Sequence, residues 1–412
     1  MASNQILNKT LTFQGINFLR QRLVLSCLSG KKIHITDIRS KEEKPGVREY
    51  EISLIRLFDQ ISNGAKIEVG RAGTSFTFIP GILLGGEITH NCDPARGIGY
   101  YLEPIMMLAP FCKKPLHIIL KGITNCDSDV SVDQLRYSML EVLRKFLITD
   151  DGLKLTVLKR GLPPVAGGHV EFCCPIRREL KPFQWVESGQ VRKVRGMCFT
   201  RRVAPVVGNR IIDKVKHHIN QYLTDVYFVC DNSKGPAPGF GISINCVTTK
   251  GTYYSAEALS CQQLNANGTS SNDSSNTNAS NNSNEGNKGR ILSPEEVAEE
   301  AVFRLLEEIR RGGCVDSYSQ PIVLLFMVLG PKDVSKIMLG PLTTQAMYML
   351  RHIRDFFSVT FKIDRHEPEE SIDLDEDGDD DEDMSKKRAL GADKVLLTCV
   401  GTGFVNFSKG NL

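Results

Sequence analysis

Helix patterns followed by strand patterns recur along this chain, and this alternation constrains the fold more than any other feature of the sequence. Apolar residues spaced i, i+3, i+4 and i+7 predict amphipathic helices at 50–64 and 131–146. Each helix leads into an alternating segment, KIEVG at 66–70 and LKLTVLK at 153–159, that predicts a strand. A third helix is predicted at 293–313, where Ser-Pro-Glu-Glu precedes the apolar pattern and Gly-Gly ends it. Three such units predict an α/β protein whose sheets pack against helices.

A weak internal repeat supports this division into units. PGILLGGEI at 80–88 and PPVAGGHV at 163–170 each place a proline a few residues before a Gly-Gly pair and a strand pattern. The third unit continues with the apolar segment PIVLLFMVLG at 321–330, which fits either a strand or a buried helix. This is the longest apolar run and is too short to span a bilayer, so no membrane segment is predicted.

The segment 186–262 interrupts the series of units and predicts a smaller inserted α/β domain. Strand patterns in VRGMCFTRRV, DVYFVC and GFGISINCVTT surround one helix pattern, APVVGNRIIDKVKHHINQYL. Four arginines on or near the first strand have two interpretations, a nucleic-acid face or the solvated side of the strand. They are Arg192, Arg195, Arg201 and Arg202.

Two tracts contain almost nothing that a core could bury. Residues 263–288 are rich in Asn and Ser and are predicted to form a disordered linker. The acidic run 367–383 is predicted to be a disordered loop between strand patterns at 358–363 and 394–407. The basic residues 386–388 that follow it are a candidate nuclear import signal.

The acidic run hides the basic character of the remaining chain. It holds 12 of the 48 acidic residues and no lysine or arginine, which leaves 51 basic against 36 acidic residues elsewhere. Such an excess favours a polyanionic partner such as RNA, although many basic proteins merely carry solvated lysines.

The twelve cysteines do not follow a metal-binding pattern. No Cys-x-x-Cys pair occurs, and the closest cysteines are the adjacent Cys173 and Cys174. The sequence therefore predicts no metal site, and it predicts free thiols in the cytosol or nucleus.

Several longer segments resemble the RNA 3′-terminal phosphate cyclase superfamily. These are LRQRLVLSCLSGKKIHITDIRSKEEKPGVREYE at 19–51, KRGLPPVAGGHVEF at 159–172 and the region 293–361. GGCVDSYSQ at 312–320 and DVSKIMLGPL at 333–342 resemble the eukaryotic, cyclase-like branch of that superfamily. The resemblance covers nearly the whole chain outside the two low-complexity tracts.

The resemblance implies a fold of three βαβαββ repeats with a small inserted α/β domain, in agreement with the units described above. The implied division is a main domain with repeats one and two at 1–185, an inserted domain at 186–262, a disordered linker at 263–288, and repeat three at 289–412 with a disordered acidic loop at 367–388.

Cyclases of this superfamily adenylylate a histidine, pass AMP to an RNA 3′-phosphate and close a 2′,3′-cyclic phosphate. Counted back from the strand end at Phe361, the histidine position is Gln345 here, and an amide nitrogen is not a usable nucleophile. The Glu-Gly-Gly-Gly-Gln loop of cyclases is replaced by Gln-Gly-Ile-Asn at 14–17. His352 lies about 10.5 Å along the helix from Gln345, which is too far to restore the geometry. The resemblance thus implies no cyclase activity, no catalytic residue and no cofactor.

The resemblance also implies a nucleolar protein of the small-subunit processome that acts in early pre-rRNA processing. Its implied partners are pre-ribosomal RNA, other processome components and a large ribosome-assembly GTPase. The alternative is an endoribonuclease that cleaves pre-rRNA, with His352 as general base and Arg351 and Arg354 as cations. A residual cyclase is the third hypothesis, and the two motif losses argue against it.

The segment 340–357 is predicted to contain a helix with a buried stripe and a polar flank. The predicted stripe is Ala346, Met349, Leu350, Ile353 and Phe357. The predicted flank holds Gln345, Tyr348 and His352, and Arg351 is spaced to pair with Asp355. The candidates for RNA contact, on this helix and in the implied cleft, are Arg20, Arg22, Arg39, Arg160, Arg351, His352 and Arg354.

Overall fold

Three four-stranded sheets of one topology form the main body of the protein. The computed structural model describes residues 10–147, 149, 151–260, 291–366 and 392–406. In each of the three sheets the strands lie in the order first, second, fourth, third. The first two strands are parallel and the other neighbours are antiparallel. Each sheet is built by a βαβαββ segment, which confirms the predicted fold class.

The first repeat supplies the sheet order β1-β2-β5-β4, and β3 pairs separately with β6. Its elements are β1 (Leu11–Gln14), α1 (Leu19–Ser29), β2 (Ile33–Thr36), α2 (Glu49–Ile61), β3 (Ser62–Asn63), β4 (Lys66–Val69), β5 (Phe76–Ile79) and β6 (Ile82–Leu83).

The second repeat supplies the sheet order β7-β8-β10-β9. Its second helix, α4, consists of three consecutive segments, Val132–Gln134, Leu135–Met139 and Leu140–Phe146, of which the middle one is a π-helix. The remaining elements are β7 (Gly86–Asn91), α3 (Ile98–Leu108), β8 (Leu116–Gly122), β9 (Lys154–Lys159) and β10 (Gly168–Cys174).

The chain then forms one short strand of the third repeat. An inserted unit follows, and its own sheet has the strand order β13-β12-β14-β15. The elements in chain order are β11 (Gln184–Trp185), β12 (Val191–Arg201), α5 (Pro205–Ile219), β13 (Val226–Asp231), β14 (Gly239–Thr248), β15 (Tyr253–Leu259) and α6 (Pro294–Arg311).

The returning chain completes the third sheet in the order β11-β16-β18-β17. Its elements are α7 (Gln320–Leu329), β16 (Val334–Leu339), α8 (Thr344–Phe357), β17 (Lys362–His366) and β18 (Lys394–Val400). All ten residues of α7 are buried, which explains why the apolar run showed no helical face. The segment that fitted either a strand or a buried helix is therefore a helix.

The described residues form two large hydrophobic cores, and the placement of α6 corrects the predicted third unit. One core joins side chains from all three repeats, and the second lies in the inserted unit. The apolar face of α6, with Val297, Ala301 and Leu305, packs in the second core beside α5 and the inserted sheet. The predicted third-unit helix at 293–313 is thus not the counterpart of α2 and α4. We propose that the inserted domain extends through Arg311.

The Gly-Gly repeat does not relate equivalent strands. Gly86 begins β7, the first strand of the second repeat, whereas Gly168 begins β10, the fourth strand of the same repeat. The strands predicted on either side of the acidic run are β17 and β18, and they pair with each other in antiparallel fashion. The linker at 263–288 and the acidic loop at 367–388 lie outside the described residues.

Two further features concern thiols and membranes. The eleven cysteines in the described ranges are all free thiols. Across those same ranges, none of the helices combines the length and the apolar character needed to cross a membrane.

Candidate functional site

A cleft opens where α1 of the first repeat, α3 of the second and α8 of the third come together. It consists of two adjoining cavities of about 460 and 470 Å³, and both are lined by Arg20, Arg96, Glu103 and Gln345. Residues from all three repeats therefore build one site, and it contains the position at which the resemblance places the cyclase nucleophile.

Gln345 is held against the wall of this cleft by Gln21 of α1. The Nε2 of Gln21 donates to the backbone carbonyl of Gln345 at 3.0 Å and to its Oε1 at 3.1 Å. Thr343 caps the N-terminus of α8, and its Oγ1 accepts a hydrogen bond from the backbone N–H of Ala346 at 3.1 Å. Among the described residues lining the 460 Å³ cavity, none is a histidine, cysteine, serine or lysine. Among these described lining residues, the groups that could act as nucleophiles are tyrosine and threonine hydroxyls and the carboxylates of Glu51 and Glu103.

His352 lies behind the cleft wall and is only 4% exposed, which corrects its predicted place on a polar flank. Its ring contacts the rings of Phe13, Phe18 and Tyr348. Burial, assisted by the charge of Arg22, lowers the pKa of His352 to about 4. A neutral histidine in this position is a core residue, and it is inaccessible to RNA.

The hydrogen bonds of His352 fix its tautomer and link it to Gln345. The Nε of Arg22 donates only, so the Nε2 of His352 accepts at a long 3.5 Å. Its Nδ1–H then donates to the Oε1 of Gln21 at 3.2 Å. The resulting chain runs from Arg22 through His352 and Gln21 to Gln345, so each member is already engaged.

The neutral state of His352 predicts a loss of stability in acid. The unfolded chain takes up a proton near the ordinary histidine pKa of about 6.5, whereas the folded protein resists protonation until about pH 4. The stabilisation is therefore complete above pH 6.5 and is lost as the pH falls through 4. Replacing His352 by Gln is expected to reduce the acid loss by about 3 kcal/mol, measured by urea unfolding from pH 7 to 4. Equal acid losses in both proteins would contradict this assignment.

The arginines that line the cleft are matched by carboxylates. Arg20 pairs with Glu103, and its guanidinium lies 4.8 Å from the ring centre of Tyr100. The Nη1 of Arg39 donates to a carboxylate oxygen of Glu51 at 2.9 Å. Arg20 and Arg39 both line the 460 Å³ cavity. Because each has a carboxylate partner, they do not form an open cationic surface.

Arg96 extends this paired arrangement and was missed at the sequence level. Its Nε donates to Asp129 Oδ2 at 2.9 Å, and its guanidinium lies 4.4 Å from the ring centre of Tyr100. The ion pair and the tyrosines outweigh burial and raise the pKa of Arg96 above its usual value. One feature of the sequence could have indicated a polar site here: Glu103 is the only charged residue in the otherwise apolar helix α3.

Two predicted RNA candidates, Arg22 and Arg160, are buried. Arg22 donates from Nη1 to the carbonyl of Gly15 at 2.8 Å, and burial lowers its pKa to about 10. Arg160 pairs with Asp133 and donates to Asn125 Oδ1 at 2.7 Å. Inside the protein the Arg22 guanidinium is held by a backbone carbonyl and His352, and the Arg160 guanidinium by a carboxylate and an amide.

Arg351 and Arg354 are exposed on the outer face of α8. Arg351 lies 5.1 Å from the ring centre of Tyr348, and the Nε of Arg354 lies 3.5 Å from Asp355 Oδ1. Asp355 therefore pairs with Arg354 in place of the predicted partner Arg351. These two arginines are the RNA candidates of this helix that solvent can reach.

The four arginines of the inserted unit, predicted to form either a nucleic-acid face or the solvated side of a strand, differ in their exposure. Arg192 and Arg202 are exposed, whereas Arg201 is buried and its Nη2 lies 2.7 Å from Asp231 Oδ2. Arg195 is half-buried and pairs with Asp225 at 2.8 Å. The four side chains therefore do not form one uniform basic face.

Comparison with known proteins agrees with the architecture. Residues 11–363 match the RNA 3′-terminal phosphate cyclase family. The RNA 3′-terminal phosphate cyclase-like protein of Mus musculus is 42% identical over 404 residues, covering 97% of this chain and 98% of the relative. The protein of the same name in Homo sapiens has the same identity and coverage. The rRNA processing protein rcl1 of Schizosaccharomyces pombe is 34% identical, covering 96% of this chain and 97% of the relative. By both its matched length and its relatives, the chain belongs to the RNA 3′-terminal phosphate cyclase family.

Proposed function

We propose that this protein is an rRNA-processing factor that lacks RNA 3′-phosphate cyclase activity. The observation that carries the proposal is Gln345 at the nucleophile position, hydrogen-bonded to Gln21 in the cleft wall. Cyclase chemistry requires a neutral imidazole that attacks phosphorus and then leaves. The neighbouring imidazole of His352 is buried and engaged by Gln21 and Arg22.

The role in rRNA processing rests on a relative and on charge. The Schizosaccharomyces pombe relative is named as an rRNA processing protein. Outside its acidic run, the chain carries 51 basic and 36 acidic residues, which suits a polyanionic ligand. We propose early pre-rRNA processing in the nucleolus, within the small-subunit processome, with pre-ribosomal RNA and a large assembly GTPase as partners.

We further propose that RNA first contacts the exposed face of α8. Arg351 and Arg354 can reach a phosphate without dismantling buried pairs, and Tyr348 supplies a ring beside them. Arg20 and Arg39 are placed to bind phosphate only after exchanging Glu103 and Glu51 for it. The cleft then acts as a secondary contact or as a binding site for a protein segment.

The endoribonuclease hypothesis required His352 as general base beside Arg351 and Arg354. A base must reach the 2′-hydroxyl proton within hydrogen-bond distance. His352 is buried and both of its ring nitrogens already have partners, so nothing in this arrangement favours cleavage over binding.

One assay on the purified chain tests these proposals. It combines labelled ATP with a pre-rRNA fragment that spans the early small-subunit sites, and it compares wild type with an Arg351→Ala, Arg354→Ala double variant. We expect no adenylylated protein, no RNA cleavage, and binding that is weakened about tenfold in the double variant. The slope of log affinity against log salt should fall by about one per lost phosphate contact.

The matched control replaces the exposed Arg178 and Arg210 by Ala, which removes two surface charges elsewhere. Adenylylated protein would overturn the loss of cyclase chemistry. Cutting that disappears in the Arg351, Arg354 variant would make the protein a nuclease. If RNA binding were weakened equally in both double variants, the loss would reflect net charge and not a contact at α8. If the wild-type protein had no RNA affinity at all, a protein partner would be its main ligand.

A further inference from the structure

The outer face of the second repeat's sheet brings together three side chains with metal-binding chemistry. In β8 and β10 alternate residues are buried, so the remaining residues point away from the core. His117 of β8 lies directly opposite Cys173 of β10, and Glu171 precedes Cys173 by two residues and shares its face. All three side chains are half-buried, which leaves them reachable from solvent.

The distances among these side chains suit a small metal ion. The Nε2 of His117 is 3.1 Å from Glu171 Oε1, and one donor atom from each of the three residues lies within 4.8 Å of the others. Tetrahedral zinc with bonds of about 2.0–2.3 Å places its ligand atoms about 3.3–3.8 Å apart. Small side-chain rotations therefore close the triangle around one ion, without movement of the strands.

We propose that His117, Glu171 and Cys173 form a zinc-binding site on this sheet. One nitrogen, one carboxylate oxygen and one thiolate form a ligand set that suits Zn²⁺, whereas Mg²⁺ and Ca²⁺ prefer oxygen ligands alone. A water molecule completes the tetrahedron. Glu87 of β7 is the cross-strand neighbour of His117.

Without zinc, the carboxylate of Glu171 pairs with the ammonium group of Lys154, which competes with a metal ion for it. The Nζ of Lys154 on β9 lies 3.4 Å from Glu171 Oε2. Cys173 is a free thiol in this structure. Zinc binding replaces the thiol proton, which passes to solvent, and displaces Lys154 from Glu171.

The site joins the two central strands of the sheet. His117 belongs to β8 and the other two ligands to β10, so one ion links antiparallel neighbours across the middle of the second repeat. A ligand that binds only the folded protein raises its stability in proportion to the logarithm of ligand concentration. We therefore expect zinc to raise the thermal midpoint of the intact protein.

The test uses the full chain stripped of metal, titrated with zinc against a chromophoric chelator. Wild type should bind one zinc per chain at this site, and His117→Ala and Cys173→Ser should each lower the affinity at least tenfold. Lys154→Gln should raise the affinity several-fold, because it frees the Glu171 carboxylate. Cobalt added in place of zinc should give the near-ultraviolet absorption of a cobalt–thiolate bond, and Cys173→Ser should abolish it.

Cys230→Ser is the matched control, since Cys230 is also a half-buried thiol on a strand. Affinity lost equally in the Cys173 and Cys230 variants would overturn the site, as would the absence of zinc binding by wild type. A drop in affinity on Lys154→Gln would exclude Glu171 as a ligand. If a ligand variant fails to fold, the wild-type cobalt spectrum and the Lys154→Gln comparison still decide the question.

Discussion

Replacing Arg160 by methionine is expected to lower the free energy of unfolding by about 3–5 kcal/mol. The Nη2 of Arg160 lies 3.2 Å from Asp133 Oδ1, and both side chains are buried. Burial acts to raise the pKa of Asp133, but the Arg160 charge and hydrogen bonds hold it below its usual value. Removing the guanidinium leaves a buried carboxylate without its cation. Urea unfolding at pH 7 measures the change.

The same network ties the inserted domain to the second repeat, which adds to the expected loss. Asn125 donates to Asp133 Oδ2 and to Glu257 Oε1, both at 3.0 Å, and Glu257 lies on β15 of the inserted unit. Burial, followed by the charge of Asp133, raises the pKa of Glu257 to about 7. The loss in the variant should shrink in acid, because the stranded carboxyl groups can then bind protons.

Arg210→Met is the control for this prediction, because Arg210 forms an exposed pair with Glu295 at 2.7 Å. Its effect should stay below about 1 kcal/mol. An Arg160 variant of ordinary stability but weakened RNA binding would restore Arg160 to the list of RNA contacts and contradict its structural role.

Replacing Gly99 by alanine is expected to destabilise the protein by about 3 kcal/mol or more. A Cβ at Gly99 would lie 1.7 Å from the backbone carbonyl oxygen of Val130, so helix α3 or the segment beside it must move. This close approach places Tyr100 and Glu103 in the cleft, next to the Arg96–Asp129 pair. Thermal and urea unfolding measure the loss.

Gly208→Ala provides a matched helical control. There the nearest atom to the added Cβ is the Sγ of Cys230 at 2.6 Å, a side-chain atom that can rotate away. Both changes gain similar helix propensity, so their difference reports the backbone clash alone. Equal effects on stability would show that α3 can shift away from Val130 without penalty.

The repeat architecture could be predicted from the sequence because it follows from the local periodicity of apolar residues. The helices at α2 and α4 and the strands that follow them were predicted from the spacing of apolar residues. The helix α6 was assigned to the wrong unit, because an amphipathic pattern shows that a helix has a buried face but not which sheet covers it. The contacts of Val297 and Ala301 in the inserted core decide that question.

The cleft and its residues were harder to predict from the sequence, because here too a pattern shows that a face is buried but not what covers it. On α8 the predicted stripe included Ala346, Met349 and Ile353, which are buried, but it missed His352 and Phe356. The stripe is wider than its apolar residues because α1 packs on this side and offers Gln21 and Arg22 as polar partners for His352. Likewise, the proposed zinc ligands come from strands distant in sequence, and spacing rules for metal motifs detect only local sets.

The two-residue strand β11 has a consequence for how the chain is made. Gln184 bonds across the sheet to Val334, 150 residues further along the chain. At a synthesis rate of about 5–20 residues per second, roughly 8–30 s separate these partners on the ribosome. The first two repeats and the inserted unit have that interval in which to fold, whereas β11 must wait for its partner strand. Helix α8 emerges later still, so a nascent chain acquires the complete cleft only after β16 has been synthesised.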